Sequence, residues 1–298
     1  MKRTRRGLWR RALPVGLLVA FAVAVVVCQL FVGPRFALLS PLRSGTVEIH
    51  VIDVGQADCT LIRTESGCIL IDAGVEASGD SVVRYLRRAG VESLAYAVFT
   101  HPDSDHIGGA AQVLQSFDVA TVIVPYIPEE ELPGTAVYDA FCRALSEKES
   151  TVTVEAITGT EYHFGEMSFL ILAPNSVAYE NMNDYSVALR FDFEDTSFLF
   201  TGDAEAASES EMLALYPRET LDCDFFHAGH HGANTSNGRE FLEAVSPEIV
   251  AVSCGENFFG HPSGETVVTC RRLGATVYRT DELGTLVFIS DGKQIEKR

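Results

Sequence analysis

Short apolar runs separated by polar turns fill the chain from residue 46 to its end. The runs "TVEIHVID", "CTLIR" and "CILIDAG" are alternating or continuously apolar, which predicts three adjacent strands. Helical spacing with a closing Gly predicts a helix over 79–90. The strand "AYAVF", the helix "GGAAQVLQSF" and the strand "VATVIVP" are expected after it.

The second half repeats this alternation without repeating the sequence. The pattern predicts strands at 151–157, 160–164, 167–173, 186–193, 196–201, 223–227, 248–253, 276–280 and 285–290, and helices at 204–216, 238–245 and 263–273. Strands come first and helices are interleaved later, so we expect an α/β fold with two mixed sheets packed face to face and helices outside. No long linker interrupts residues 46–298, which predicts one domain there.

The amino-terminal residues follow a different pattern. Residues 1–11 carry six basic and no acidic residues, and residues 12–32 form an uncharged run in which Gln29 is the strongly polar interruption. A run of about 20 apolar residues matches the bilayer core, so we expect one transmembrane anchor behind a cytoplasmic basic head. Residues 33–45 would then be a linker, and residues 46–298 a domain on the outer side of the cell membrane. A cleaved secretory signal is the alternative.

The charge balance constrains the partners of this domain. Six of the 23 Lys and Arg lie in the head, so residues 12–298 carry 17 of them against 41 Asp and Glu, a net charge of −24. Such a surface repels polyanions, and an anionic substrate must be attracted by a local positive feature such as a pair of divalent cations. The seven cysteines form no CxxC, and Cys59 and Cys68 are either a disulfide or two free thiols.

Acidic residues and histidines collect where predicted strands end. "VFTHPDSDHIGG" supplies four of them, "SFLFTGD" one, "HAGHHG" a histidine pair and "GENFFGHPS" another histidine; they are His101, Asp103, Asp105, His106, Asp203, His230, His231 and His261. Alternate residues of the first motif face one side, while the adjacent Asp and His can face two centres, which fits two metal ions. Imidazoles with carboxylates suit Zn or Mn. Each motif alone is more typical of an ordinary turn or surface feature, and the prediction depends on their joint occurrence.

Five separated motifs resemble a known family. "THPDSDHIGG" is similar to the HxHxDH signature of the metallo-β-lactamase superfamily, with Asp103 in place of the second His. "IHVIDVGQADCTLIRTESGCILIDAG", "TGDAE", "GHHGANTS" and "GHPSGETV" resemble the metallo-β-lactamase domain of ComEC competence proteins, over residues 46–290. The resemblance implies an αββα sandwich holding two divalent ions.

The same resemblance implies a role for each residue. It places His101 and Asp103 on one ion, Asp105 and His106 on the other, Asp203 between them, and either His230 or His231 on the second ion. Asp53, Asp72 and Asp58 are expected to support the metal loop from beneath. His227, in place of the family's Lys, and Ala233, in place of its Ser, are expected near the phosphate. "NMNDYSVALRF" offers Asn, Asp and Ser where many members supply a further His.

The implied reaction is hydrolysis by water activated between two metals. Asp105 would orient the hydroxide, and His231 or His261 would donate to the leaving group; for His261 a role in capping the helix near Ser263 is an equal alternative. The preferred substrate is a phosphodiester, which includes single-stranded DNA. Hydrolysis of another ester, a lactone or a β-lactam is the alternative within this fold. A non-catalytic binding subunit of a DNA-uptake or envelope assembly is the non-enzymatic one.

Overall fold

Alternating apolar residues place strands in two mixed sheets in the computed structural model, which describes residues 41–298. In chain order the strands are β1 (Val47–Val51), β2 (Thr60–Thr64), β3 (Gly67–Ile71), β4 (Ser93–Val98), β5 (Asp118–Val124), β6 (Val152–Glu155), β7 (Glu161–Phe164), β8 (Met167–Ala173), β9 (Ala188–Phe193), β10 (Thr196–Phe200), β11 (Phe225–His227), β12 (Ile249–Val252), β13 (Thr276–Arg279), β14 (Leu286–Ser290) and β15 (Ile295–Lys297).

Both sheets are half antiparallel and half parallel. The first has the order β15-β14-β1-β2-β3-β4-β5-β6, with antiparallel pairing up to β3 and parallel pairing from β3 to β6. The second has the order β13-β12-β11-β10-β9-β8-β7, parallel from β13 to β10 and antiparallel beyond. Two mixed sheets were predicted, and the structure confirms them.

Helices connect the strands and cover the outer faces. The α-helices are α1 (Gly79–Arg88), α2 (Ser104–Ile107), α3 (Ala110–Ser116), α4 (Ala136–Ser146), α5 (Ala206–Leu215), α6 (Arg218–Leu221), α7 (Arg239–Val245), α8 (Gly264–Arg272) and α9 (Thr280–Leu283). Short 3₁₀ segments occupy Glu76–Ser78, Glu129–Glu131, Met182–Tyr185 and Gly229–Gly232.

The main core lies between the two sheets. Ile49 of β1 and Phe288 of β14 pack there with Phe169, Phe191 and Phe225 of the second sheet, and all five are fully buried. Alternation along each strand sends the neighbouring side chains to the outer faces. A second apolar cluster therefore forms outside the second sheet, where Met212 of α5, Phe241 of α7 and Cys270 of α8 cover Leu199 and Phe226.

Some of the predicted boundaries and features need correction. Helix α4 was not predicted; its Ala-rich face buries Phe141 and Ala144, and the Thr135 hydroxyl caps it by accepting a hydrogen bond from Tyr138 N at 3.2 Å. The described cysteines, Cys59 and Cys68 among them, are free thiols. The predicted head, anchor and most of the linker lie outside the described residues. Within residues 41–298 no helix has the length and apolar character needed to cross a bilayer.

The chain folds so that loops from both sheets meet at one edge. Backbone hydrogen bonds join these loops: Val187 N donates to Thr100 O at 2.9 Å across the two sheets, and His230 N donates to Gly202 O at 3.1 Å within the second sheet. The parallel strands β4, β10, β11 and β12 all run toward this edge, so the residues that follow them converge. This convergence assembles the site described next.

Candidate metal centre

The loop after β4 turns sharply and passes close to neighbouring backbone. A Cβ on Gly108 would lie 2.3 Å from Glu76 N, and a Cβ on Gly109 would lie 2.3 Å from Ala73 O. Glycines at these positions therefore allow the close approach. Ala73 N donates to His106 O at 2.7 Å and ties the loop after β3 to α2.

Four of the predicted side chains come together around one point. Asp105, His106, Asp203 and His231 each place one donor atom within 4.8 Å of the others. His106 Nε2 lies 3.2 Å from Asp203 Oδ1, and His231 Nε2 lies 3.2 Å from Asp105 Oδ2 and 3.9 Å from Asp203 Oδ2. Two imidazoles and two carboxylates from three separate loops thus face one another.

The ring of His106 is oriented by a buried carboxylate. Its Nδ1 donates to Asp72 Oδ2 at 2.8 Å, and Asp72 in turn accepts hydrogen bonds from Thr100 N at 2.8 Å and Thr100 Oγ1 at 2.7 Å. With Nδ1 carrying the proton, the lone pair of Nε2 points into the cluster. This is the arrangement in which an imidazole ligates a metal, and Asp72 lies beneath the loop as the sequence predicted.

His101 and His231 are held in the same way. His231 Nδ1 donates to Ser253 O at 3.1 Å and lies 3.2 Å from Asp58 Oδ1. His101 Nδ1 lies 3.3 Å from Ser186 Oγ, whose oxygen also accepts a hydrogen bond from Asp203 N at 3.1 Å. The Nε2 atoms of these rings are therefore available to a ligand.

Unpartnered buried atoms indicate that a cation fits this cluster. His101 Nε2, His106 Nε2 and Asp203 Oδ1 are buried and form no hydrogen bond. A buried polar atom without a partner is costly, and native proteins rarely leave three in one place. Imidazole nitrogens and carboxylate oxygens are the donors that Zn and Mn take, so the residues present fit a divalent ion.

The charges of the cluster attract positive charge. Burial disfavours protonation of His231, but the carboxylates of Asp203, Asp58 and Asp105 outweigh it and raise its pKa to about 10. Burial likewise opposes the charged form of His106, yet Asp203 and Asp72 raise its pKa well above the ordinary value. The buried carboxylates therefore dominate the electrostatics, and divalent cations compete with protons for the same atoms.

The pair predicted for the other ion is more open. His101 Nε2 lies 3.7 Å from Asp103 Oδ2, but the side chain of Asp103 is 46% exposed. Among residues 41–298 the pair has no third donor atom as close as those of the first cluster. In the segment where a further His was missing, Asn183 Nδ2 donates to Glu205 Oε1 at 3.0 Å and Asp184 accepts from backbone N–H groups. These side chains position the neighbouring loop.

His230 and His261 lie at the rim. His230 Nε2 is 3.6 Å from Asp203 Oδ2, its Nδ1 is 3.2 Å from Glu205 Oε1, and its ring centroid is 5.1 Å from that of His261. The helix cap considered for His261 is supplied instead by Ser263, whose Oγ accepts a hydrogen bond from Thr266 N at 3.0 Å. His261 is thus free of that role and faces the rim.

The turn that carries the histidine pair has an uncommon backbone. His230 and His231 both have positive φ, at 49° and 52°, a region that costs a non-glycine residue energy. Asn237 holds the turn: its Oδ1 accepts a hydrogen bond from Gly229 N at 3.0 Å, and its Nδ2 donates to Gly229 O and Ala233 O at 2.8 and 3.0 Å. Glu209 of α5 accepts hydrogen bonds from Asn237 N and Gly238 N.

Several supporting residues differ from expectation. His227 was expected near the phosphate, but it is buried at the end of β11, where its Nε2 lies 3.0 Å from Ser253 Oγ. Ala233 is also fully buried. Asp53 is exposed and accepts a hydrogen bond from Gly55 N in its own loop. Sequence reasoning missed Glu209 and Asn237, although "TSNG" after the histidine pair is a recognisable turn signal.

Comparison with known proteins is consistent with this geometry. A family model described as the metallo-beta-lactamase superfamily matches residues 52–256. The chain is 27% identical over 267 residues to ComE operon protein 3 of Bacillus subtilis, covering 83% of this chain and 34% of that protein. It is 30% identical over 223 residues to Recombination protein 2 of Haemophilus influenzae, covering 73% of this chain and 25% of that protein. The chain therefore spans about a third or less of these relatives.

A solved structure has a similar fold. The metallo-beta-lactamase fold protein YhfI from Bacillus subtilis aligns with a TM-score of 0.56 at 11% identity, covering 82% of this chain and all of that one. At this identity the likeness concerns the fold alone. The chain is also 29% identical over 242 residues to Competence protein ComA of Neisseria gonorrhoeae, covering 80% of this chain and 32% of that protein. The resemblance predicted from the five sequence motifs is confirmed by the family match and by these relatives.

Proposed function

Because the chain belongs to the metallo-beta-lactamase superfamily and has the fold of its metal-dependent hydrolases, we propose that it hydrolyses phosphodiesters, with single-stranded DNA as a substrate. The observation that carries this proposal is the cluster of Asp105, His106, Asp203 and His231. Its members face one another, and His106 Nε2 and Asp203 Oδ1, which lie 3.2 Å apart, are both buried and form no hydrogen bond.

We assign the donors to two ions. Asp105, His106 and His231 would hold the more enclosed ion, His101 and Asp103 the more open one, and Asp203 would lie between them. Of the histidine pair, His231 is the ligand in this proposal, because its Nε2 faces Asp105 while its Nδ1 is bound to Ser253 O. When bound, Zn or Mn ions supply a more acidic water and neutralise charge on a phosphoryl oxygen.

The protein's own residues contribute orientation and a proton. Asp105 lies beside His231 at the open side of the cluster and would orient the attacking oxygen. His230 and His261 line the rim, where a leaving oxygen would depart. Burial and the neighbouring charges of His230 and His231 lower the pKa of His261. A largely neutral imidazole at this position would donate a hydrogen bond to the leaving oxygen.

The charge distribution supports an anionic substrate that is held mainly by metal. The loops that surround the cluster, at 53–58, 72–79, 100–109, 181–186, 201–206, 228–238 and 253–264, contain no Lys or Arg. Bound cations are then the positive feature of this edge. The names of the relatives refer to competence and recombination, which favours DNA as the polyanion. The amino-terminal anchor would hold the enzyme at the outer face of the cell membrane.

The test is hydrolysis by the purified full chain loaded with Mn or Zn. We expect release of p-nitrophenol from bis-p-nitrophenyl phosphate and shortening of a single-stranded oligonucleotide, with metal content measured on the same sample. Asp105→Ala should lower both activities at least 100-fold, because it removes a ligand and the group that orients the attacking oxygen.

The matched control is Asp224→Asn. Asp224 accepts hydrogen bonds from Ser197 N and Oγ at the start of β11, away from the converging loops, so this variant should keep full activity. Metal-loaded protein that cleaves neither phosphodiester would refute the proposal. Turnover of nitrocefin in its place would favour the β-lactam alternative.

A further inference from the structure

Two phenylalanines are exposed in the loop between β12 and α8. Phe258 has 103% of its reference surface exposed and Phe259 has 77%, the largest values among the large apolar side chains of the described residues. Single exposed apolar residues are common, but two adjacent phenyl rings that are both largely exposed are not. They lie in the loop that also carries His261 at the rim of the metal centre, which suggests that they contact a ligand.

The loop backbone is fixed by one side chain. Asn257 Oδ1 accepts hydrogen bonds from the N–H groups of Phe259, Gly260 and His261 at 2.9 to 3.1 Å. Its Nδ2 donates to Gln56 Oε1 at 3.0 Å and to His261 O at 2.7 Å. The rings are thus held out by an ordered turn tied to the loop after β1.

The exposed rings lead to the cluster. The ring of Phe259 is 5.8 Å from that of His261 with an interplanar angle of 32°, and the His261 ring is 5.1 Å from that of His230. His230 Nε2 then lies 3.6 Å from Asp203 Oδ2. A continuous series of rings therefore runs from solvent to the carboxylate proposed to lie between the ions.

We propose that Phe258 and Phe259 form a stacking platform for the bases of single-stranded nucleic acid, next to the phosphodiester that enters the metal centre. The inference rests on the proposed phosphodiesterase function and names the part of the substrate that the protein recognises. Every base has a π-face, so aromatic stacking holds a strand without basic residues and without sequence preference. It therefore suits an acidic domain whose site loops lack Lys and Arg.

A membrane surface is a less suitable partner for these rings. Loops that enter the interface of anionic membranes combine apolar residues with Lys or Arg. The loop at 253–264 contains no Lys or Arg and carries Glu256. The net charge of the domain is strongly negative, so an anionic bilayer would repel it at long range.

The experiment compares oligonucleotides with and without bases. The full chain and the double variants Phe258→Ala/Phe259→Ala and Phe258→Leu/Phe259→Leu are assayed on a dT oligomer and on an abasic oligomer of equal length. We expect the KM for the dT oligomer to rise about tenfold in the Ala variant and nearly as much in the Leu variant, which keeps apolar surface but no ring. Kinetics on the abasic oligomer should be unchanged in both variants.

Other results would overturn the inference. An unchanged KM for the dT oligomer, or an equal loss on both oligomers, would show that the rings do not bind bases. Vesicle binding that the Ala variant loses and the Leu variant keeps, with unchanged dT kinetics, would identify a membrane contact instead. Val177→Ala, which removes another exposed apolar side chain at 74% exposure, is the matched control and should change nothing.

The outcomes separate this inference from the proposed function. If both oligomers are cleaved but the ring variants behave as wild type, the phosphodiesterase stands and the platform fails. If neither oligomer is cleaved, fluorescence anisotropy with a labelled dT oligomer still measures binding. Weaker binding in both ring variants would then support the platform while the hydrolytic proposal fails.

Discussion

At the scale of single residues, the site depends on which ring nitrogen carries the proton. His101, His106 and His231 all bind protein groups through Nδ1 and turn Nε2 toward the cluster. Their partners differ, being a hydroxyl, a carboxylate and a backbone carbonyl. Asp72 is charged, buried and hydrogen-bonded directly to His106 Nδ1, so it is the partner chosen for the test.

Asp72→Asn should weaken metal binding. The amide would present either a neutral oxygen or an NH₂ group to His106 Nδ1, so the ring would lose its charged partner and the preference for the ligating tautomer. We expect affinity for Zn or Mn to fall roughly 10- to 100-fold. Competition with a fluorescent chelator measures this. Asp224→Asn makes the same change in a carboxylate bound to a backbone N–H and a hydroxyl, and should leave the affinity unaltered.

The sequence predicted the members of the four-residue cluster better than the residues that surround and orient them. The motif "THPDSDHIGG" and the following "TGD" and "HHG" contain every member of the four-residue group, because imidazoles and carboxylates collected in loops after strands are candidate metal ligands. The choice between His230 and His231 was open, because two adjacent positive φ values decide where each ring points and no sequence rule gives them. His227 was misplaced for a related reason: alternation along β11 turns it inward.

At the scale of elements, helix α5 and the histidine turn are joined by a buried carboxylate. Glu209 Oε1 accepts a hydrogen bond from Asn237 N at 2.5 Å, and Oε2 accepts one from Gly238 N at 2.9 Å. Burial outweighs these bonds and raises the pKa of Glu209 to about 7. The folded protein therefore holds a proton here that the unfolded chain releases near its ordinary value of 4.5.

This shift predicts a pH dependence of stability with a defined sign. Between about pH 4.5 and 7 the folded state binds more protons at Glu209, so its contribution to the free energy of unfolding falls as the pH rises. Above pH 7 Glu209 is ionised in the folded state, and its contribution to the free energy of unfolding is then lower by about 3 kcal/mol than at pH 4.5 or below. Urea unfolding of wild type and Glu209→Gln at several pH values measures this pH dependence. The titrations of all other groups contribute equally to both proteins and cancel in the difference between their free energies of unfolding. Wild type should lose stability relative to Glu209→Gln as the pH rises from about 4.5 to 7. A wild type that gains stability relative to the variant over this range would contradict the assignment.

Elements with strong periodicity were predicted well, and one helix was missed. Strands such as β8 and β10 follow directly from their apolar runs, which only a buried sheet can accommodate. Helix α4 was overlooked because its apolar face is short, with Phe141 and Ala144 as its buried residues. Its formation depends on packing against α3, which is a tertiary contact.

At the scale of the whole molecule, a strongly acidic body surrounds a site proposed to bind a polyanion. Residues 12–298 carry a net charge of −24, and the site loops add no Lys or Arg. Long-range repulsion would slow the approach of DNA, while the metal ions and the phenyl rings act only at contact. The balance between these effects depends on ionic strength, because screening shortens the reach of the repulsion.

We therefore expect NaCl to lower the KM for single-stranded DNA over a limited range of salt concentration. As NaCl rises from about 10 to about 150 mM, the Debye length falls from about 30 to about 8 Å, and we expect the KM for a dT oligomer to fall several-fold. Proteins that bind DNA through basic surfaces show the opposite trend, because binding releases counterions. Steady-state kinetics on dT oligomers of increasing length tests the point. The salt effect should grow with the number of phosphates and nearly vanish for a dinucleotide, whereas a KM that rises with salt would mean that local cations outweigh the acidic body.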